Sequence, residues 1–511
     1  MREDLWRRRN RLRLSMEMLS MSQLNRRTLL AAAGITVAVP GVARATPDPF
    51  QLGVASGDPR SDGVVLWTRL AAAPLDADGG MGTRTVRVDW EIATDANFAH
   101  VVQTGYEHAV PADGHSVHAE PRGLAPNAWY FYRFKADGHL SPVGRTRTAP
   151  ARGVGVASLE FAFASCQHFE VGWYHAHRYI TADNPDVVLF LGDYMYEKPS
   201  HLASKVRRYV ALDGVVNALP EYRIRYAQHH LDPDLKACHA AAPWLVVFDD
   251  HEVKNNWYGV RSAIPEQRRK DAFRAFWENM PLPKSMKPTS AAIKLYRRIE
   301  WGTLARFHMM DTRQYRNRQA PARDCGKVNS TTRTLTGPAQ EQWLLDGLTA
   351  RGSGWDFLGQ QVFFAHRDYD GDLRTCDGNN DSWDGYRANR ARIIQGWIDC
   401  KVRNPVVLTG DVHTHWANDL RLNPAGPIVG TELVTSSITS KGRNKPGGAW
   451  NNPGLNFIGN HRGYVRVTVN AQQLTAEWTR LSSILERDPA KVTMSVSRRY
   501  VVLDGQPGLT T

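Results

Sequence analysis

The sequence predicts an α/β protein, in which helices cover both sides of the sheet structure, with an all-β domain of the immunoglobulin or fibronectin type in front. Three observations predict this class. After residue 50, about 100 residues have the character of short strands separated by Gly, Pro, Asp and Asn. From Leu159 onward, apolar strands alternate with amphipathic stretches of helical length. With 42% apolar and 23% charged residues over 511 positions, the chain resembles neither a disordered nor a membrane-embedded protein.

Residues 1–45 are predicted to be a twin-arginine signal peptide. Arg26 and Arg27 stand directly before the apolar run Leu29–Val39, and Ala43-Arg44-Ala45 has the small residues of a signal-peptidase site. The run is about half as long as the roughly 20 residues that a membrane-spanning helix needs. We therefore expect a mature chain, beginning near Thr46, that the twin-arginine translocase exports folded to the periplasm or the medium. The alternative is a basic tail in front of a core helix.

The net charge of +13 is concentrated in this segment. Residues 1–45 hold nine Lys and Arg against three acids, which accounts for six of the thirteen charges and leaves +7 for the rest of the chain. Such mild basicity attracts anionic substrates but does not by itself indicate a polynucleotide. We expect the protein to be a monomer, with no specific nucleic-acid partner and no stable membrane span.

Two domains are predicted in the mature chain. In residues 46–150, strand patterns occur at Val64–Thr68, Val86–Ile92 and Trp129–Phe134, at the spacing of a sandwich domain. Thr146–Ser158 is interpreted as a linker. The second domain extends over 159–500. Its predicted strands are Phe161–Ala164, Val187–Leu191, Trp244–Phe248, Asp356–Leu358 with Gln361–Phe364, and Val406–Leu408, and its predicted helices are Glu221–Leu231, Glu266–Trp277, Pro338–Ala350 and Tyr386–Val402.

Polar side chains follow four of these strands directly. The groups are Ser165-Cys166-Gln167, Gly192–Glu197, Asp249–Asn256 and Gly410–Trp416. If the four strands lie in one sheet, their carboxyl ends converge on one crevice, where ligands usually bind in open α/β sheets. Carboxylates gathered this closely repel one another unless cations hold them together. The pattern therefore predicts a site for several metal ions.

The kinds of ligand narrow the choice of metals. A thiolate from Cys166, a phenolate from Tyr196 and an imidazole from His413 suit a trivalent or borderline transition metal. Because tyrosine has an ordinary pKa of about 10, phenolate coordination at neutral pH favours a strongly acidic ion such as Fe³⁺. The remaining oxygen ligands suit Ca²⁺, Mg²⁺ or Mn²⁺, and a pair of bridged metals is a common clamp for displacement at phosphorus.

Seven motifs together resemble the PhoD-type alkaline phosphatases, distant relatives of the purple acid phosphatases. They are Gly53–Pro59, Leu66–Arg69, Ser165-Cys166-Gln167, Gly192–Glu197, Asp249–Asn256, Trp383–Tyr386 and Leu408–His413. The resemblance covers nearly the whole mature chain. It implies a four-layer metallophosphoesterase core for residues 159–500 and an exported, metal-dependent alkaline phosphatase or phosphodiesterase that uses a metal-activated hydroxide.

The same resemblance implies one iron and one or two calcium ions. Fe³⁺ would be held by Cys166, Asp193, Tyr196 and His413, and Ca²⁺ by Asp193, Asp250, Asn255 and Asp411. Arg390 would bind the substrate phosphate. Asn255 and His415 are further candidates for substrate binding, although His415 also fits a residue that contacts a metal ligand or forms part of the rim of the site.

His251 is the candidate general acid, because it lies between two implied ligands and is not needed as one. Two other hypotheses stay open. In the first, the same site acts on a diester, as in a phospholipase D-like or teichoic-acid phosphodiesterase. In the second, the protein is a non-catalytic surface-binding protein that keeps its metals for stability.

Four cysteines and a basic segment have weaker interpretations. Cys238 and Cys400 are interpreted as core thiols, whereas Cys325 and Cys376 lie in polar loops and form a disulfide or stay free. The segment Asp311–Arg316 either lines the pocket or forms a structural ion pair.

Overall fold

The computed structural model describes residues 46–198, 208, 210–259, 262–348, 354–367, 375–442 and 452–511. The predicted signal peptide lies outside the described residues. Residues Pro47–Thr511 form one compact unit. In the described ranges, no helix combines the length and apolar character needed to cross a membrane.

The strands are numbered in chain order. They are β1 Val54–Arg60, β2 Gly63–Arg69, β3 Val86–Ala93, β4 Val101–Ala109, β5 Ser116–Ala119, β6 Trp129–Ala136, β7 His139–Leu140, β8 Gly144–Arg147, β9 Ser158–Ala164, β10 Val187–Leu191, β11 Pro243–Val247, β12 Arg297–Trp301, β13 Ala305–Met309, β14 Trp355–Gly359, β15 Pro405–Thr409, β16 His415–Arg421, β17 Ile428–Val434, β18 Leu455–Gly459, β19 Val465–Asn470, β20 Gln473–Leu481, β21 Met494–Leu503 and β22 Gln506–Thr510.

The α-helices are α1 His175–Ala182, α2 Leu219–His230, α3 Pro233–Ala241, α4 Glu266–Asn279, α5 Cys325–Val328, α6 Gly337–Leu348 and α7 Arg387–Asp399. Short 3₁₀ helices lie at Pro111–Asp113, Lys284–Met286, Trp383–Tyr386 and Pro489–Lys491. The four predicted helices correspond to α2, α4, α6 and α7. The sequence pattern missed α1, α3 and the short helix α5.

Two large sheets pack face to face. The first has ten strands in the order β22-β21-β20-β19-β9-β10-β11-β1-β2-β5, and the second has seven in the order β12-β13-β14-β15-β17-β16-β18. Phe161 on β9 contacts Phe307 and Phe357 of the second sheet edge to face, with ring centroids 5.4 and 5.2 Å apart. The rings form part of one buried apolar core between the sheets.

Helices cover the outer faces of both sheets. On the first sheet, His177 of α1 stacks against Phe190 and Trp244, whose side chains point away from the core shared with the second sheet. On the second sheet, residues of α6 and α7 such as Leu344 and Ile393 pack in one apolar cluster with strand residues. The arrangement of helix, sheet, sheet and helix is the four-layer order implied by the resemblance.

The N-terminal region forms a sandwich, but not a separate one. Its second face is a five-stranded sheet of order β4-β3-β6-β7 with β8 beside β6, which packs over β2 and β5. Its first face is the end of the ten-stranded sheet, because β1 pairs in parallel with β11. At this junction a Cβ on Gly57 would lie 2.4 Å from the Pro281 carbonyl oxygen, so only glycine fits. The predicted N-terminal β-domain therefore shares a sheet with the rest of the chain. Its immunoglobulin type stays a prediction.

The predicted strand Gln361–Phe364 is wrong. The segment is a buried loop in which the backbone N–H groups of Phe364 and Ala365 donate to the Glu432 carboxylate, at 2.7 and 2.9 Å. Because a buried side chain on β17 satisfies these groups, the apolar run does not need strand pairing. The ends of the other predicted strands lie within three residues of observed ends, while β1, β4, β5, β7, β8, β12, β13 and β16–β22 were missed.

The cysteines have distinct placements. Cys325 and Cys376 form a disulfide with their Cα atoms 5.3 Å apart, which settles the open alternative. Cys238 is a free thiol buried in the main core, as expected, whereas Cys400 is only half-buried at the end of α7.

Candidate metal centre

Three of the four polar groups that follow strands meet at the carboxyl ends of neighbouring strands in the ten-stranded sheet. The strands β9, β10 and β11 are parallel neighbours, and they are followed after one or two residues by Cys166, Asp193 and Asp249-Asp250. The fourth, Asp411, follows β15, which belongs to the other sheet. The expectation that all four strands share one sheet is therefore wrong. The two sheet edges touch here, since a Cβ on Gly410 would lie 2.7 Å from the Ser165 Oγ.

The donors gather in three overlapping clusters. Each cluster offers one ligand atom per residue, and these atoms lie within 4.8 Å of one another. The clusters are Cys166 with Asp193 and His413, Asp193 with Asp250 and His251, and Asp249 with Asp250 and Asp411. Asp193 is shared by the first two and Asp250 by the last two. The arrangement is a row of adjacent subsites that fits more than one cation.

Four residues of the clusters have a left-handed backbone conformation, which residues other than glycine rarely adopt. Cys166, Asp193, Asp411 and His413 have φ angles of 59°, 55°, 60° and 53°. A non-glycine residue in the left-handed region costs about 1 kcal/mol or more and persists where surrounding contacts enforce it. Each of these four residues lies two to four positions after the end of β9, β10 or β15.

Glu252 helps to hold the backbone conformation at Asp193. Its buried carboxylate accepts hydrogen bonds from the backbone N–H groups of Asp193, Tyr194 and Asp249, at 3.1, 2.6 and 2.8 Å. It thus ties the turns after β10 and β11 together. The sequence contained Glu252 in a motif, but nothing in one sequence distinguishes a carboxylate that binds backbone from one that binds metal.

Tyr196 lies beside the first cluster. Its hydroxyl is 3.1 Å from Asp193 Oδ2, 3.3 Å from His413 Nε2 and 2.6 Å from the Ser440 Oγ. The ring stacks on His168 with centroids 4.3 Å apart. The phenol oxygen is therefore held beside the thiol, carboxylate and imidazole donors. Ser440 was not predicted, because it comes from a loop after β17.

Arg313 is a fully buried counter-ion for the acidic end of the row. Its guanidinium pairs directly with Asp249, lies 2.8 Å from Asp381, and is 3.6 and 3.8 Å from Asp250 and Asp411. For Arg313, the structural ion pair is the observed one of the two interpretations of the Asp311–Arg316 segment, whereas Tyr315 and Arg316 line a neighbouring cavity. Since the side chain of Arg313 is fully buried, it does not line the open cleft.

Burial sets the protonation of the first cluster. Desolvation, strengthened by the nearby carboxylates, holds the pKa values of Cys166, Asp193 and Tyr196 well above their ordinary ranges. Burial of its ring, aided by Arg462, lowers the pKa of His413 to about 3. The imidazole is therefore neutral, the form that binds metals.

At the acidic end, burial raises the pKa of Asp411 to about 6, although Arg313 and Arg367 oppose the shift. Arg313 is shared among Asp249, Asp250, Asp381 and Asp411, so this donor set fits added cations. Arg367, which sequence analysis missed, has its guanidinium carbon 5.7 Å from the Trp416 ring centroid.

His251 is oriented by a second glutamate. Its Nδ1 lies 2.7 Å from Glu197 Oε2, and the other oxygen of Glu197 accepts the backbone N–H of Asn255 at 3.0 Å. Burial alone would lower the pKa of His251, but the carboxylates of Asp250 and Asp193 outweigh it and raise the pKa to about 10. With Nδ1 bound to Glu197, Nε2 is the nitrogen that exchanges a proton in the cleft. The side chain of Asn255 is exposed, and its ligand role stays a prediction.

Replacing Glu197 with Gln is expected to lower kcat by about tenfold, within the usual range for removing an orienting partner. The Glu197 carboxylate also raises the pKa of His251, so its loss moves the alkaline limb of the kcat profile to lower pH. Steady-state rates from pH 6 to 11 measure both effects. Glu266→Gln, an exposed change on α4, serves as the control. An unshifted alkaline limb in E197Q would show that Glu197 does not set the protonation of His251.

Two predicted residues do not reach the clusters. Arg390 donates to the Phe364 carbonyl and the Asp384 carboxylate, both at 2.9 Å, and lines a cavity of about 270 Å³ between α7 and β16. His415 is fully buried, with Nε2 3.0 Å from the Thr479 carbonyl oxygen and Nδ1 accepting the Ser436 N–H at 2.9 Å. Their substrate-binding roles are not supported by these placements.

Comparisons with known proteins show which family the chain resembles. Residues 161–478 match the family model described as PhoD-like phosphatase, and residues 36–150 match that of the PhoD-like phosphatase N-terminal domain. The chain is 42% identical over 489 residues to alkaline phosphatase D of Bacillus subtilis (strain 168), covering 90% of this chain and 82% of that protein. A solved structure of PhoD is similar at a TM-score of 0.86, with 41% identity over 90% of this chain and 92% of that one.

Proposed function

Since the chain belongs to the PhoD-like phosphatase family, we propose that it is an exported alkaline phosphatase that needs several bound cations. That it is a phosphatase follows from the family. The metals, the mechanism and the export route are our proposals. The observation that carries them is the row of three clusters joined by the shared carboxylates of Asp193 and Asp250.

We assign Fe³⁺ to the sulfur end of the row and one or two Ca²⁺ to the oxygen end. Cys166, Asp193, Tyr196 and His413 would hold the iron, and Asp193, Asp250, Asn255 and Asp411 the calcium. Thiolate, phenolate and imidazole donors favour a transition metal, while carboxylate and amide oxygens favour a hard cation. When bound, such ions neutralise a phosphoryl group and lower the pKa of water.

The chain's own residues supply orientation and a proton. The Glu197 carboxylate holds the imidazolium of His251 through Nδ1, so Nε2 is placed to give its proton to the leaving oxygen of the phosphoester. Glu252 and the left-handed turns keep the acids in register before substrate arrives, which favours charge stabilisation without reorganisation. Arg367 replaces Arg390 as the candidate that supports the phosphate, because its charge acts on Asp411.

Metal removal tests this function. Dialysis of the purified protein against EDTA with a second chelator specific for iron is expected to abolish hydrolysis of p-nitrophenyl phosphate at pH 9. Fe³⁺ together with Ca²⁺ should restore it, and neither alone should do so. Elemental analysis and a visible phenolate-to-iron absorption band check the iron assignment. Full activity in a protein free of both metals would refute the proposal, and bis(p-nitrophenyl) phosphate run in parallel decides between monoester and diester preference.

Export is tested in cells. Replacing both Arg26 and Arg27 with Lys should leave the precursor in the cytoplasm, because the paired arginines are the feature that a twin-arginine signal presents. Cell fractionation with immunoblotting measures the distribution. Arg11→Lys in the same basic stretch is the control and should leave export intact. Normal export of the double-lysine variant would argue for a different route.

A further inference from the structure

Two adjoining cavities open beside the metal centre. They have volumes of about 790 and 710 Å³ and share Tyr258, Arg318 and Arg333 in their walls. We call them together the basic groove, which we define by Asn256, Tyr258, Arg318, Lys327 and Arg333. The groove plays no part in the chemistry described above.

The groove is positively charged. Arg318 is exposed and Arg333 half-buried, and in the described part of the chain no carboxylate lies within ion-pair distance of either guanidinium, nor does a carboxylate line the two cavities. Lys327 adds a charge that Asp324 only partly offsets at 3.5 Å. Arg316 also lines the groove, but Asp381 neutralises it. Unpaired cations around a concave surface attract an anion.

Arg333 is fixed in place before any ligand arrives. Its Nε donates to the Gly385 carbonyl at 3.1 Å and one terminal nitrogen donates to the Arg318 carbonyl at 2.8 Å. The guanidinium also lies 4.8 Å from the centroid of the Tyr386 ring. Because both hydrogen bonds go to neutral carbonyls, the positive charge stays uncompensated while the side chain loses its freedom. Such preorganisation lowers the entropic cost of binding.

The groove starts at the same turn that carries a metal ligand. The backbone N–H of Asn256 donates to Asp250 Oδ2 at 2.5 Å, and the Asn256 carbonyl accepts from Gln319 in the groove wall at 2.9 Å. The Gly259 N–H donates to the Arg313 carbonyl at 2.9 Å. A phosphoester bound at the clusters therefore has the groove directly alongside.

We propose that the basic groove binds a second anionic group carried by the alcohol part of the substrate, with Arg318 as its main contact. The inference rests on the proposed function, since it places the phosphoester at the metal clusters. It predicts that substrates with two well-separated anionic groups are preferred over substrates with one.

Matched synthetic substrates test this subsite. Alkyl phosphates of two to six carbons are compared with ω-phosphonoalkyl phosphates of the same length, whose phosphonate is not hydrolysed. We expect kcat/KM to be about tenfold higher for the phosphonate partner at the best length, as a single charge-assisted hydrogen bond would supply. The ratio should fall with added salt. In Arg318→Gln it should approach one, whereas Arg498→Gln, an exposed charge change on β21, should keep both the ratio and the activity.

The outcomes separate the two proposals. If the metal-loaded protein does not hydrolyse the plain alkyl phosphates, the proposed function fails. If it hydrolyses them but the phosphonate brings no advantage at any length, the proposed function stands and the subsite is refuted. An advantage that persists unchanged in R318Q would also overturn the assignment to the basic groove.

Discussion

The Asp193→Asn variant is expected to lose about 10³-fold in kcat/KM for p-nitrophenyl phosphate, at the upper end of what single electrostatic groups contribute. In the described part of the chain, Asp193 is the carboxylate that the cluster with Cys166 shares with the cluster of oxygen donors. Asn keeps the size and one oxygen but removes the negative charge that holds two neighbouring cations together. The variant should also bind less iron and less calcium, which elemental analysis of the purified protein measures.

The matched control lies at the other end of the same strand. Asp186 precedes β10, pairs with Arg147 and accepts the Glu160 N–H at 2.9 Å, away from the clusters. Asp186→Asn should keep kcat/KM within about twofold, as surface changes distant from a site usually do. Wild-type activity with full metal content in D193N would contradict the shared-carboxylate arrangement.

Replacing Arg313 with Met is expected to destabilise the metal-free protein by about 3–5 kcal/mol, the usual cost of leaving buried charges without their partner. Four carboxylates face this one guanidinium, and burial already raises the pKa of Asp249 to about 7 even with Arg313 opposing. Urea denaturation at pH 8 measures the loss. Added Ca²⁺ should recover part of it, since cations supply positive charge to the same acids.

A second buried ion pair provides the comparison. Arg297 pairs with buried Asp58 at 2.7 Å, outside the metal clusters. Arg297→Met should destabilise the protein to a similar extent, but Ca²⁺ should not recover the loss specifically. If both variants respond equally to the cation, Arg313 is not a counter-ion of the metal centre.

Much of the centre was predictable because strands end where their apolar runs end. Val187–Leu191 was predicted to the residue, and the ligand at 193 follows from it. The same logic located Cys166, Asp250 and Asp411. It did not show that Asp411 belongs to a different sheet, because strand periodicity contains no information on which strands pair across hundreds of residues.

The errors have a common physical cause. Arg390 and His415 are buried with backbone partners that no motif shows, the Phe364 carbonyl for Arg390 and the Thr479 carbonyl for His415. A lone sequence shows the residue type but not its partner. The same holds for Arg313 and Ser440, whose importance depends on contacts with loops more than 60 residues away.

The ten-stranded sheet has a consequence for how the chain is made. Its centre consists of β9, β10 and β11, one flank comes from β1, β2 and β5 between residues 54 and 119, and the other from β19–β22 between residues 465 and 510. The ribosome must therefore release nearly the whole polypeptide before this sheet acquires both edges. Folding from widely separated segments is slow, so β9 lacks its neighbour on one side until the segment that forms β19 has been synthesised.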